Sequence, residues 1–244
     1  MKRCKFQLYE QGAMVGGGKA IESSGGVVYV ATNGSAAKAT LTDVAGTGLT
    51  NPRALTNGSC EFYVADSVSK VDLYIACPDG EFLVVKDAEV EKIDDLYVDK
   101  QNRYQDWVIP FDVAHQAGDA TETDSGFDLP LHALVLPHPA LRVQTVDATE
   151  TLDVGILSSE RAGDAVGFLA AFSVATAGLV QGLILNGGNT MGALFERQDS
   201  ANAGDLVPAA HALTGSNGRS VTWTLTTGSD TAKGFIHLPV LLMA

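Results

Sequence analysis

Five histidines, three cysteines and two short acidic runs are the groups in this 244-residue chain whose types and spacing could do chemistry. His132 and His138 lie six residues apart in LPLHALVLPHPA. A zinc pair would need further ligands at close spacing, and the three prolines and apolar residues around these two describe a structural stretch instead. His115, His211 and His237 are scattered. Cys4, Cys60 and Cys77 are an odd number without CxxC spacing, which supports neither a zinc site nor a disulfide framework. Cys60 in SCEFYVAD and Cys77 in LYIACPDG could lie on neighbouring strands and pair. Two small buried thiols is the reading that suits a reducing compartment.

The segment GDATETDSGFD gathers Asp119, Glu122, Asp124 and Asp128, an oxygen-rich composition that calcium accepts. It lacks the final bidentate Glu of the twelve-residue calcium loop and reads as hydrated surface. Asp147, Glu150 and Asp153 in VDATETLDVG resemble a catalytic carboxylate set only superficially. Glycoside cleavage needs two carboxyls roughly 5–9.5 Å apart across a cleft, and no aromatic residues flank these as a sugar platform. GGGK at 16–19 lacks both the leading Gly and the following Ser/Thr of a phosphate loop. No GxSxG, HExxH or strand-following GxGxxG is present. The sequence therefore predicts no catalytic residue, no metal ligand and no cofactor.

Composition bounds the partners. Sixteen Lys and Arg against 29 Asp and Glu give a net charge of −13, which disfavours nucleic acid and anionic membrane surfaces. No apolar run reaches the ~18 residues of a bilayer span. The opening MKRCKFQLYEQG has no apolar stretch followed by a cleavage site, so synthesis in the cytosol is expected. Asn33-Gly-Ser35 and Asn57-Gly-Ser59 match the glycosylation pattern but are better explained as hairpin turns.

The elements that must position any site are strands. Residues 1–24, with Gly16 to Gly18 and then Ser23 to Gly26, read as an extended N-terminal arm. From 25 to 96 come short β-prone runs, VVYVAT, KATLTD, CEFYVAD, VDLYIAC and EFLVVKD, separated by Asn33-Gly34, Asn57-Gly58 and Asp79-Gly80. Val71, Leu73 and Ile75 alternate with Asp72, Tyr74 and Ala76. Residues 97–126 read as an acidic connector docked through Trp107, Val108, Ile109 and Phe111. Residues 127–244 carry only five basic residues and a second set of strands, including RSVTWTLTTG and GFIHLPVLLM. In the former, Val221, Trp223 and Leu225 oppose Thr222, Thr224 and Thr226, the pattern of a half-buried strand. SERAGDAVGFLAAFSVA is the one plausible helix, weakened by two glycines at ~1 kcal/mol each relative to Ala.

The expected fold is all-β: two antiparallel β-sandwich or barrel domains, with a short helical element and an extended arm. In the last strand both faces are apolar, and Pro239 argues against a central position. Burial by another subunit resolves that conflict. Phe168, Leu169, Phe172, Ile236, Leu238, Val240 and Leu242 are accordingly expected at an oligomer interface, and Lys5, Phe6, Leu8 and Tyr9 of the arm at a contact with a larger assembly.

The stretch GGVVYVATNGSAAKATLTDVAGTGLTNPRALTNGSCEFYVADSVSKVDLYIACPDGEFLVV resembles a small β-module of tailed-bacteriophage virion proteins. The stretches RVQTVDATETLDVGILSSERAGDAVGFLAAFSVATAG and TTGSDTAKGFIHLPVLLM are similar to phage head decoration proteins and other virion components. The resemblance implies a decoration or cement protein on the capsid exterior, made in the host cytoplasm. Such a protein binds the major capsid protein and clamps neighbouring capsomers, often as a homotrimer. The alternative is a tail or fibre protein whose β-domain binds a host receptor such as a glycan. A polysaccharide hydrolase is disfavoured by the 7% aromatic content and by the lack of an identifiable acid/base pair.

Overall fold

The computed structural model describes residues 1–10, 19–21, 25–77, 80–93, 95–98, 103–118, 120–181, 190–198, 206–208, 210–213, 218–226 and 231–243. The chain divides into two units, Met1–Arg103 and Tyr104–Ala244. Both are built almost wholly from strands, as the alternation predicts.

The first unit holds β1 (Lys2–Glu10), β2 (Lys19–Ala20), β3 (Val27–Thr32), β4 (Leu41–Thr42), β5 (Gly48–Leu49), β6 (Arg53–Ala54), β7 (Ser59–Val64), β8 (Lys70–Ala76), β9 (Phe82–Glu89) and β10 (Asp95–Val98). One sheet runs β10-β1-β7-β4-β5, with β2 also on β1, and the other runs β6-β3-β8-β9. Alternate residues of both sheets meet in one core: Cys4, Phe6 and Leu8 of β1, Cys60, Phe62 and Val64 of β7, Val28 and Val30 of β3, and Val71, Leu73 and Ile75 of β8. The Asn57-Gly58 turn has φ of 50° and 67°, the left-handed pair that a two-residue hairpin needs. Gly58 is also held by space, since a Cβ there would lie 2.3 Å from the Ile21 carbonyl oxygen. Asp79 of the third expected turn lies outside the described residues.

The expected arm is instead the spine of this sheet. β1 is antiparallel to β7 from Lys2 to Gln7 and parallel to β10 from Gln7 to Glu10. Its alternation, Cys4-Phe6-Leu8 inward and Arg3-Lys5-Gln7 outward, drives the placement, because burying three apolar side chains outweighs exposing the basic ones.

A second device closes β3. The Asn51 side chain accepts from Val30 N at 3.0 Å and donates to the Val30 carbonyl at 2.7 Å and the Ala39 carbonyl at 3.0 Å. An amide side chain thus stands in for strand backbone where the ladder with β6 ends.

The second unit holds β11 (Tyr104–Asp112), β12 (Thr123–Asp128), β13 (Ala133–Val135), β14 (Ala140–Thr145), β15 (Thr151–Ile156), β16 (Leu169–Ser173), β17 (Gly178–Gln181), β18 (Thr190–Met191), β19 (Glu196–Gln198), β20 (Leu206–Pro208), β21 (His211–Ala212), β22 (Ser220–Leu225) and β23 (Lys233–Leu242). One sheet runs β17-β14-β23-β13-β21, with β11 on the other edge of β23. The other runs β12-β22-β15-β16-β18, and β19 with β20 forms a separate hairpin. Phe111 of the first sheet meets Trp223 of the second with ring centroids 6.2 Å apart. Residues 104–112, read as part of a connector, are therefore a strand of this unit.

The last strand is central, which corrects the argument from Pro239. β11 lines one edge of β23, while β13 and β14 divide the other between them. Pro239 sits where β13 has ended and β14 has not begun, and its carbonyl accepts from Leu136 N at 2.8 Å. Its missing donor thus faces a gap in the ladder. By the alternation of antiparallel pairs, Pro110 of β11 points its nitrogen away from β23, at an edge.

The expected helix is also absent. Residues 158–167 form turns and Leu169–Ser173 a strand. The pairs Leu152 with Phe172 and Val154 with Leu169 enclose one extra residue on β16, a bulge at which Ala171 has φ of 49°. The bulge turns Leu169 and Phe172, three apart, to the same side, which imitates helical spacing. β22 is buried on both faces and not one: Thr222 is 0% exposed and Thr224 9%, and Thr222 Oγ1 donates to the Thr123 carbonyl at 2.9 Å.

Deleting residues 1–10 is expected to unfold the first unit. It removes Phe6 and Leu8, each contributing roughly 1.5–3 kcal/mol by burial, together with Cys4 and the ladder to β7, against a total of ~5–15 kcal/mol for a domain. Loss of amide protection in β7 and β8 by hydrogen exchange, with the second unit still protected, is the expected outcome; a detachable arm would leave both unchanged. Asn51→Ala should cost the first unit ~2–3 kcal/mol, read as a lowered urea midpoint, because the Val30 N–H and the Ala39 carbonyl lose this partner, while the Val30 carbonyl keeps Ala39 N at 2.9 Å.

Candidate functional site

The residues expected at an oligomer interface are interior. Phe168, Leu169, Phe172, Ile236, Leu238 and Val240 are each 0% exposed within the chain itself, and only Leu242 is half-buried. Two apolar faces on one strand had a simpler cause than a second subunit: the inner face meets the opposing sheet, and Phe235 on the outer face is itself 3% exposed. Of the four residues expected to touch a larger assembly, Phe6 and Leu8 point into the core, while Lys5 is exposed and Tyr9 half-buried. Strict alternation in KFQLY was the signal that separates the two pairs.

The ionisable clusters end on backbone groups of their own loops. Asp72, 1% exposed on β8, accepts from Gly34 N at 3.1 Å, from Asp87 N at 3.0 Å and from Lys86 Nζ at 3.1 Å. Lys86 Nζ also contacts the Tyr74 hydroxyl and stands 4.2 Å from that ring's centroid. The network ties the 33–35 turn and β9 to the outer face of β8. In the second unit Glu160 accepts from Arg219 N at 2.6 Å, Ser220 N at 2.9 Å and Ser220 Oγ at 3.0 Å. Burial alone would raise the Glu160 pKa, but these donors together lower it. Ser158 donates through both N and Oγ to Glu122. Of the acidic run 119–128, Asp119 lies outside the described residues, Asp124 caps its own turn through Gly126 N at 2.8 Å, and Asp128 accepts from Ser220 Oγ at 2.6 Å. Of the second acidic run, Asp147 accepts from Thr149 N at 3.0 Å, and Asp153 accepts from Ala171 N at 2.7 Å. Burial raises the Asp153 pKa.

Among the described residues no group of three or more His, Cys, Asp or Glu is arranged to hold a metal ion. His132 and His138 both have positive φ, 59° and 73°, and shape the turns flanking β13. Burial lowers the pKa of His211, which stands edge-on to Phe168 at 6.1 Å. His237 Nδ1 lies 2.7 Å from Asp106 on the outer face of the β23 sheet. All three cysteines are free and buried. Burial pushes the Cys4 thiol up to about 12 and the Cys60 thiol to about 11. Cys60 and Cys77 belong to opposite sheets of the sandwich, so neighbouring-strand pairing does not arise.

A concave feature lies among the described residues of the first unit. A groove of about 600 Å3 is lined by Arg3, Lys5, Phe6, Gln7 and Tyr9 of β1, by Ser59, and by Val90, Glu91 and Ile93. It lies between the outward side chains of β1 and the turn at 90–92, where Lys2 reaches Glu91 at 4.0 Å.

No family model matches the chain, and no curated protein does. Among solved structures, the one described as "Structure of infectious bursal disease virus Gx strain" is similar at 14% sequence identity and a TM-score of 0.30. The match covers 99% of this chain and 56% of that one, and at this level it carries no argument.

The Glu160 carboxylate is expected to make the second unit acid-sensitive. Its folded pKa is below the ordinary value of 4.5, so its contribution is complete above that value and is lost as pH falls through the folded one. Glu160→Gln should cost ~1–2 kcal/mol at pH ~7 and progressively less below pH ~4, measured by urea titration at both.

Proposed function

We propose that this chain is a structural component of a tailed-phage virion, and within it a head decoration protein on the capsid exterior. The observation that carries the reading is the resemblance of residues 25–85, 142–178 and 226–243 to phage virion and head decoration proteins. The geometry supports it in one respect. The ionisable networks around Asp72, Glu122 and Glu160 are spent on fastening loops to sheets, a use that favours a rigid, non-catalytic body.

Such a protein, made in the host cytoplasm, would bind the mature lattice of the major capsid protein and stabilise it by mass action. Its effect grows as the logarithm of its concentration over the dissociation constant. Closure of three copies about a local axis would add avidity. Because Ile236, Leu238, Val240 and their partners are consumed inside the sandwich, contacts between copies must use outward-facing residues.

Copy number tests the reading. Quantitative mass spectrometry of purified particles should find on the order of hundreds of copies, as a surface lattice requires. A dozen or fewer would move the protein to the tail or a fibre, and there a glycan-binding role would take precedence.

A further inference from the structure

The tetrapeptide Thr-Asn-Gly-Ser occurs twice in the first unit, at 32–35 and at 56–59, each time across a turn. An asparagine followed by glycine is unusually open to cyclisation, because no Cβ on the second residue hinders its backbone nitrogen as it approaches the asparagine side chain. Identical neighbours give the two copies the same intrinsic reactivity. Any difference between them comes from the fold.

The ring closes when the glycine nitrogen eclipses Cβ about the asparagine Cα–C bond, at a ψ of about −120°, which is the first-position value of a type II′ turn. Asn57 and Gly58, with φ of 50° and 67°, form the type I′ turn. Rotating their shared peptide plane about the line between the two Cα atoms converts I′ into II′. The two Thr56–Ser59 backbone bonds of 2.9 Å survive that rotation, and the Gly58 Cα stays against the Ile21 carbonyl. Little else resists it. Among the described residues the Gly58 N–H has no acceptor, and the exposed Asn57 side chain makes no hydrogen bond. Gln7 Nε2 donates to the Asn57 carbonyl at 3.1 Å but also faces the Leu8 and Ile21 carbonyls at 3.2 and 3.3 Å, so three acceptors share two hydrogens.

The other copy is held. At 32–35 only the glycine has positive φ, 72° at Gly34, so the same rotation carries Asn33 toward a ψ of about −30° and not to ring closure. Gly34 N donates to Asp72 at 3.1 Å and Asn33 Nδ2 to Asp87 at 2.9 Å. Cyclisation must break both bonds, and the two carboxylates oppose removal of the Gly34 amide proton. Giving up one hydrogen bond to a charged acceptor slows a step roughly ten- to a hundredfold.

We propose that Asn57 is a site of spontaneous deamidation and that Asn33, with the same neighbours, is closed to it. Hydroxide removes the Gly58 amide proton, and the nitrogen attacks Asn57 Cγ. The new N–C bond forms as the bond to Nδ2 breaks, and the departing nitrogen takes a proton from water to leave as ammonia. A second water opens the succinimide at either carbonyl, giving aspartate or isoaspartate; nothing is oxidised or reduced. The isoaspartate form lengthens by one backbone atom the turn whose Gly58 carbonyl receives Leu8 N at 3.0 Å. The assignment does not rest on the decoration reading, since both turns belong to the first unit alone.

The test holds the full chain in mildly alkaline buffer, native or unfolded in urea, and follows it by tryptic digestion at mildly acidic pH and mass spectrometry. Peptides 20–38 and 54–70 each hold a single asparagine, Asn33 and Asn57 respectively. In the native chain Asn57 is expected to convert at least about tenfold faster than Asn33, a difference of about 1.4 kcal/mol in barrier, with aspartate and isoaspartate both formed. In urea the two rates should agree within about twofold. Equal native rates, a faster Asn33, or a native chain in which neither residue converts while both do in urea overturns the proposal. So does an excess at Asn57 that persists in urea, which would assign the difference to more distant sequence. None of these outcomes bears on copy number in the particle.

Discussion

Backbone hydrogen bonding in the interior of a sheet is the constraint on which both units depend. A strand buried on both faces must find partners along both edges, and must also cover its outer side chains with something other than water. β8, β22 and β23 are such strands. Their outer faces or edges are met by excursions: the 33–40 segment over β8, the turns at 158–167 beside β15 and β22, and the divided partners of β23. Loops used as walls need fixing, and that is where the polar side chains go. Asp72, Asn51, Glu160 and Gln116 each replace a stretch of missing strand. Gln116 does so by receiving Leu225 N at 2.8 Å and donating to the Leu225 carbonyl at 3.0 Å.

This arrangement explains which parts of the fold were legible. The β-class, the alternation of Val71, Leu73 and Ile75, and the Asn-Gly turns were visible because each depends on residues adjacent in the chain. β1 was obscured by its company: three cations interleave its apolar residues and a glycine run follows. Its true partners lie some 50 and 90 residues away. Residues 169–172 were misread because a bulge sets apolar residues three apart. Pro239 misled for the opposite reason, since the gap it occupies belongs to β13 and β14 and leaves no mark on its own strand.

The candidate site was legible to the same extent. Lys5, Phe6, Leu8 and Tyr9 were grouped as contacts of a larger assembly because an arm has no inner face; in the strand Phe6 and Leu8 are interior, Lys5 is exposed and Tyr9 half-buried. Once β1 is a strand, parity divides the four. The groove itself could not be read, because one wall comes from β1 and the other from Val90, Glu91 and Ile93, after the strand that ends at Glu89. The apolar residues assigned to subunit contact were recognised as needing cover, and the cover comes from within.

The sequestered thiols bear on how such a molecule would age. A group whose pKa has been driven to about 12, as at Cys4, exists as the reactive anion in only about one part in 10^5 at neutral pH. Oxidants and alkylating agents act on that anion. Burial thus withholds Cys4, and to a lesser degree Cys60, from that chemistry.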